Sequence, residues 1–167
     1  IRELIPLLEN IAVCDPAAGS GAFEVGMLQT LADLLENLYG REQAPADLRA
    51  KRPSAYELKK SIVERSLYGV EVKALAVWIN HLRLWLSLFV DMPDELKTSQ
   101  QPLLPNLTFK VRVGDSLVQR VGQSTFPVQG SATLTQALKA RLTKLQEMKH
   151  DFYYNRGVSA EAVTHEE

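Results

Sequence analysis

The stretch Asn10-Ile-Ala-Val-Cys-Asp-Pro-Ala-Ala-Gly-Ser-Gly-Ala-Phe23 decides the fold. Its first half is short, apolar and partly β-branched, and it stops at Asp15-Pro16, as a buried strand does. Its second half, residues 16–21, is a turn of small residues. Phe23, Met27, Leu31, Leu34, Leu35 and Leu38 then follow at helical spacing, with Gly40 where a C-cap glycine would stand. Strand, glycine turn and helix in that order open a βαβ unit.

Working outward, the pattern repeats. Residues 1–8 either end a helix or enter the first strand. Residues 41–54 are polar and hold Pro45 and Pro53, so they form a surface connection, and 56–66 read as a short helix. Ser66-Leu-Tyr-Gly-Val-Glu-Val72 is a second strand. The spacing of Leu75, Ile79, Leu82, Leu86 and Phe89 predicts a helix over 74–90. Trp78 and Trp85 read as packing residues, Asn80 as a polar helix residue, His81 as satisfied or exposed, and Cys14 as a buried small apolar residue. A proline-punctuated loop spans 91–105, and 107–113 alternate like a third strand that ends at Gly114-Asp115-Ser116. A loop over 123–131, a basic amphipathic helix over 134–148 (Leu134, Leu138, Leu142 and Leu145 on one face) and a frayed polar tail over 157–167 complete the chain. The expected fold class is α/β, a parallel sheet with helices on its faces.

Composition excludes several classes. The 167 residues are enough for one domain with a real core, and at 46% hydrophobic general disorder is excluded. A single cysteine leaves neither a disulfide framework nor a cysteine-built zinc site. No run reaches the ~18 apolar residues of a membrane span, and the start, Ile1-Arg2-Glu3-Leu4, has no signal-peptide pattern. The absence of an initial Met is expected of a fragment. The net charge of −1 argues against a simple basic nucleic-acid binder. It averages unlike parts, because residues 110–156 hold eight basic and three acidic side chains. A basic segment on an acidic body fits a polyanionic partner or a solvated helix face equally well.

Ligands of open α/β sheets bind at the carboxyl ends of the strands. Three strand ends here carry a carboxylate. Asp15 leads into a loop where Gly19 and Gly21 let a ligand approach the backbone, and it suits a ligand ammonium better than a pyrophosphate. Glu71 can accept both hydroxyls of a ribose, and Asp115 can accept from the exocyclic amine of an adenine. A ligand with an α-amino group, a ribose and an adenine is S-adenosylmethionine. The dinucleotide pattern fails because position 24 is Glu, and no Gly-Lys-Ser/Thr completes a phosphate loop. Asp15, Gly19, Gly21, Glu71 and Asp115 each also have a plainer reading as cap, turn or surface residues, and Phe23 opens an apolar helix face and is a core position before it is a ligand contact.

The Asp15–Phe23 segment resembles the first motif of the DNA adenine-N6 methyltransferases of the restriction-modification type. Leu67-Tyr-Gly-Val-Glu-Val-Lys-Ala-Leu-Ala-Val77 is similar to their second motif. The runs Leu82-Arg-Leu-Trp-Leu-Ser-Leu88, Leu104-Pro-Asn-Leu107 and Gly114-Asp-Ser-Leu117 look like the same branch. The resemblance implies a Rossmann-like methyltransferase fold, incomplete in this chain. It implies S-adenosylmethionine held by Asp15, Pro16, Ala17, Gly19, Ser20, Gly21, Phe23, Glu71, Val72, Asp115 and Ser116. It implies methyl transfer to adenine N6 in double-stranded DNA by a cytoplasmic, metal-free enzyme of a restriction or phage-defence system, with other domains of the same polypeptide as partners.

The departures matter as much. The family's catalytic Asn/Asp-Pro-Pro-Tyr/Phe is absent, so no catalytic residue is assigned, and Tyr153-Tyr-Asn-Arg156 has the wrong order to supply one. Asp15 and Glu71 lie 56 residues apart against ~20 in a minimal unit, a gap that the 41–54 connection and its helix fill. The division expected is 1–122 for the cofactor-binding part, 123–156 for an insertion before the missing motif, and 157–167 for a disordered tail. The alternatives are a methyltransferase acting on RNA, protein or a small molecule, and a non-catalytic scaffold that contacts DNA or protein through its basic helix.

Overall fold

The computed structural model describes residues 1–98, 105–117, 120–121, 124–125 and 136–166. Helix α1 (Leu4–Glu9) precedes strand β1 (Val13–Asp15), and helix α2 (Ala22–Gly40) follows it. The connection to the second strand contains α3 (Ala46–Ala50) and α4 (Ala55–Arg65), the latter opened by a capping box in which Glu57 N donates to Ser54 Oγ and Ser54 N donates to the Glu57 carboxylate. Strand β2 (Leu67–Glu71), α5 (Ala74–Phe89), the short α6 (Asp94–Lys97) and β3 (Val111–Val113) come next. A two-residue pair, β4 (Arg120–Val121) and β5 (Ser124–Thr125), then α7 (Gln136–Tyr153) and α8 (Ala160–Glu166) end the described chain.

The fold is α/β. Strands β1, β2 and β3 form a parallel sheet in that order, with Asp15 opposite Gly69 and Glu71 opposite Val113. Parallel register puts the three carboxyl ends on one edge. Leu67, Gly69 and Val111 point to the buried face, where Leu28, Leu31, Leu35, Val63, Leu84 and Leu88 form the core. On the alternate face Cys14, Tyr68 and Arg112 are exposed, and the C-terminal end of α7 approaches only one corner, where the Lys110 ammonium lies over the Tyr68 and Tyr153 rings. Cys14 is therefore exposed, not buried, because it alternates with the covered positions of β1.

Helix α5 turns inward a different face from the one its leucine spacing traces, whereas α2 buries most of its leucines. In α2 the buried set is Glu24, Leu28, Leu31, Ala32, Leu35, Leu38 and Tyr39, while Phe23 is 50% and Leu34 46% exposed. In α5 the buried set is Val77, Asn80, Leu84 and Leu88. Leu75, Ile79, Leu82, Leu86 and Phe89, whose spacing marks the helix, are all exposed, and so is Trp78, which reads from the sequence as a packing residue. Glu24 of α2 and Asn80 of α5 pair with each other inside the protein, so a polar residue lies on the inward face of each helix. Asn80 is thus a polar helix residue that is fully buried. Trp85 donates to the Pro105 carbonyl at 2.9 Å, and a His81 ring nitrogen meets the Val111 carbonyl at 3.0 Å.

Smaller differences follow from local bonds. Gly40 is the last helical residue of α2, and Arg41, in extended backbone, is its cap. The helix runs that far because Tyr39 is buried with its hydroxyl donating to Glu9 at 2.6 Å. Strand β3 begins only at Val111, since Lys110 and Val111 both donate to the Leu107 carbonyl and curl residues 108–110 into a turn. Residues 160–166 form a helix instead of a frayed tail: Val163 is fully buried and Ser159 Oγ caps Ala162 N at 3.1 Å. Of the expected 123–131 loop, Ser124–Thr125 pair with Arg120–Val121, while 126–131 lie outside the described residues. So do Leu134 and the side chains of Leu138 and Leu142, while Leu145 is half-buried.

Candidate functional site

The loop after β1 is built by its own backbone. Asp15 Oδ1 accepts from Ala17 N at 2.9 Å, Ala18 N donates to the Val70 carbonyl at 3.0 Å, and Gly21 N donates to the Ala18 carbonyl at 3.0 Å. Gly19 (φ +55°) and Gly21 (φ +83°) take left-handed backbone, which glycine adopts without the cost a side chain adds. Gly21 is also the N-cap of α2, so the helix's first free N–H groups face this loop.

Two hydrogen bonds tie the strand ends into one site. Glu71 Oε2 accepts from Gly19 N at 3.0 Å, and Ser116 Oγ donates to the Pro16 carbonyl at 2.8 Å. Glu71 Oε1 also accepts from Lys73 N at 2.9 Å. The Lys73 N–H first, and then the Gly19 N–H, hold the Glu71 carboxyl below its ordinary value. Asp115 Oδ1 accepts from Leu117 N at 2.9 Å, an Asx turn. An ionised carboxylate has about four acceptor positions, so these backbone bonds leave Asp15, Glu71 and Asp115 capacity for a ligand.

The structure therefore brings Asp15, Pro16, Ala17, Gly19, Ser20, Gly21, Glu71, Val72, Asp115 and Ser116 to one edge of the sheet. Phe23 stands beside them, half-exposed on the first turn of α2. Sequence reasoning passed over two neighbours. Val113 (55% exposed) and Leu117 (87% exposed) join Phe23 and Val72 (66%) as large apolar side chains left in water around the polar loop. A flat aromatic ligand would cover such surface. The one available signal was position, since both flank Gly114-Asp115-Ser116.

Beneath the loop lies a polar layer. Asn80 Nδ2 donates to Glu24 Oε1 at 3.2 Å, and Arg83, one turn along α5, donates to the Ser20 carbonyl at 3.2 Å. Burial pushes the Glu24 carboxyl up, assisted by the charge of Asp15 and opposed by its hydrogen bonds and by Arg83. Away from this edge, a cavity of about 470 Å³ opens between α7 and the sheet, lined by Glu64, Tyr68, Phe109, Lys110, Lys149 and His150 among others. Among the described residues no cluster of His, Cys, Asp and Glu fits a metal ion, and no helix is long and apolar enough to cross a membrane.

No family model matches the chain, and no solved structure matches it. Over 118 residues, 71% of the chain, it is 35% identical to a Methanocaldococcus jannaschii protein named, provisionally, as a type II restriction enzyme and methyltransferase. The likeness is to a restriction-modification methyltransferase. The chain spans 9% of the length of that relative.

Proposed function

We propose that the strand-end cradle binds S-adenosylmethionine and that the chain is the cofactor-binding part of a DNA methyltransferase of a restriction-modification or phage-defence system. The observation that carries this reading is the joining of three carboxylate-bearing strand ends through the Gly19–Glu71 and Pro16–Ser116 hydrogen bonds. Likeness to a protein named as a restriction enzyme and methyltransferase supports it. So does a parallel α/β sheet of the kind that a Rossmann-like methyltransferase fold uses.

In this reading Asp15 receives the ligand's ammonium, and Glu71 accepts the ribose hydroxyls while keeping the Gly19 N–H. Asp115 accepts from the adenine amine, and Phe23, Val72, Val113 and Leu117 cover the ring. Pro16, Ala17, Gly19, Ser20 and Gly21 supply a backbone that lies close to the ligand. An open backbone at Gly19, where a Cβ would meet nothing nearer than the Ala17 carbonyl at 4.0 Å, supports the reading. When bound, the cofactor supplies an electrophilic methyl group on a sulfonium. The acceptor in our reading is adenine N6 in duplex DNA, flipped out of the stack. Residues 1–122 would form the cofactor part and 123–156 an insertion. No Asn-Pro-Pro-Tyr occurs in the 167 residues, so this chain by itself should transfer no methyl group to DNA.

Photolabelling with radioactive S-adenosylmethionine tests the site. Label is expected in peptides covering 15–23, 71–72 or 113–117, displaced by S-adenosylhomocysteine and not by NAD or ATP. Label elsewhere, or displacement by NAD or ATP, overturns the site. Nucleoside analysis of DNA from cells expressing the complete polypeptide tests the substrate. N6-methyladenine is expected, and N4- or C5-methylcytosine overturns the adenine reading.

A further inference from the structure

The Glu24–Asn80 pair is costly where it stands. Glu24 is 1% and Asn80 0% exposed, yet one acceptor of each, Glu24 Oε2 and Asn80 Oδ1, has no hydrogen-bond partner. Unmatched buried acceptors destabilise a fold, and apolar residues of the same shape would fill the space without that cost. Each side chain also occupies room that a glycine vacates. A Cβ at Gly21 would fall within 3.0 Å of three Asn80 side-chain atoms, and one at Gly69 would fall 2.5 Å from Glu24 Oε1. The pair thus touches the N-cap of α2 and the central strand at once, directly under the loop, and Arg83 of the same α5 holds Ser20.

We propose that Glu24 and Asn80 are positioning residues, whose buried, hydrogen-bonded side chains set Gly21, and with it residues 16–21, in the conformation that receives the cofactor. The proposal rests on reading that loop as the cofactor cradle. A protonated Glu24 carries the one donor that the two unmatched acceptors lack. An ionised Glu24 puts an unpaired charge under the loop. Burial favours the protonated form, with Asp15 at the end of β1 acting in the same direction and Arg83 on α5 against it. The loop is therefore in its receiving form while Glu24 is neutral, and it is disturbed as Glu24 ionises.

The test is calorimetric titration of the protein with S-adenosylmethionine as a function of pH, with thermal unfolding followed alongside. Asn80→Leu keeps the number and branching of the side-chain heavy atoms and removes the hydrogen bond. It is expected to fold and to weaken binding roughly tenfold, the factor that corresponds to about 1.4 kcal/mol. Glu24→Gln keeps a neutral, hydrogen-bonding side chain. It is expected to bind within about threefold of wild type at acidic pH, and to stay level where wild-type affinity falls with rising pH. Wild-type affinity in Asn80→Leu, or a Glu24→Gln pH profile that superimposes on the wild-type profile, overturns the proposal. Should Asn80→Leu not fold, the Glu24→Gln comparison decides alone. A wild-type protein that binds no S-adenosylmethionine at any pH refutes the cradle reading itself and this inference with it. A wild type that binds, with variants indistinguishable from it, refutes this inference only.

Discussion

Gly21→Ala is the perturbation that the structure constrains most tightly. Two costs are separable. The residue sits at φ +83°, where an L side chain costs roughly 1–2 kcal/mol. Its new methyl would also press on Asn80, whose side chain is fully buried and has nowhere to retreat, an overpacking cost of about 1–3 kcal/mol. The sum, about 2–5 kcal/mol, is a large part of the ~5–15 kcal/mol that stabilises a domain. Urea unfolding followed by circular dichroism measures it. In an Asn80→Ala background the second cost disappears, so the same substitution is expected to cost only the 1–2 kcal/mol of backbone strain, a coupling of about 1–3 kcal/mol. Gly26 is the control: it lies in α2 with nothing within 4 Å of a built Cβ, and Gly26→Ala is expected to stabilise by about 0.4–1 kcal/mol. A coupling below about 0.5 kcal/mol between positions 21 and 80 would refute the packing of Asn80 under the loop.

Three further outcomes are expected. Leu84→Ala in the buried row of α5 should cost about 2–5 kcal/mol in urea unfolding, whereas exposed Leu82→Gln should stay within about 0.5 kcal/mol of wild type; the reverse order would restore the leucine face to the core. Burial lowers the Lys110 ammonium to about 8. The folded state then binds fewer protons than the unfolded one above that pH, so stability relative to Lys110→Met should rise by about 2 kcal/mol between roughly pH 8 and 10; a flat difference contradicts it. Glu71 is held below its ordinary value by the Lys73 and Gly19 N–H groups. Its ordering of the loop is thus present above the ordinary carboxylate pKa and lost as pH falls through the lowered one. Amide exchange at Gly19 should be protected at neutral pH, lose protection in acid, and be unprotected throughout in Glu71→Ala; protection that survives in Glu71→Ala contradicts it.

The sequence showed where the strands end, because carboxylates and glycines at those ends are required by local backbone geometry: Asp15, Gly19 and Gly21, Glu71, Asp115. It traced most of the inward face of α2, where Leu31, Leu35 and Leu38 are buried, but the leucine spacing of α5 marks an exposed face. Helix α5 is apolar around most of its circumference, so leucine spacing could not select a face. The decisive residues were polar, Asn80 and Glu24, and a buried polar residue is legible only with its partner 56 positions away. Exposed Cys14 has a similar origin, since a three-residue strand is too short to reveal which face is covered. Helix α8 escaped notice because, among its described side chains, Val163 alone is fully buried, in a polar run. At the site, Val113 lay outside every motif and Leu117 only closed the Gly114–Leu117 run, and the folded edge groups them with Phe23 and Val72.

The central claim is that the joined ends of β1, β2 and β3 hold S-adenosylmethionine. Calorimetric titration of the protein with that ligand at neutral pH tests it most directly. Saturable one-to-one binding is expected, weakened by tenfold or more in Glu71→Ala, roughly the loss of one charge-assisted hydrogen bond. No binding to a folded wild-type protein, or equal binding by Glu71→Ala, would contradict it.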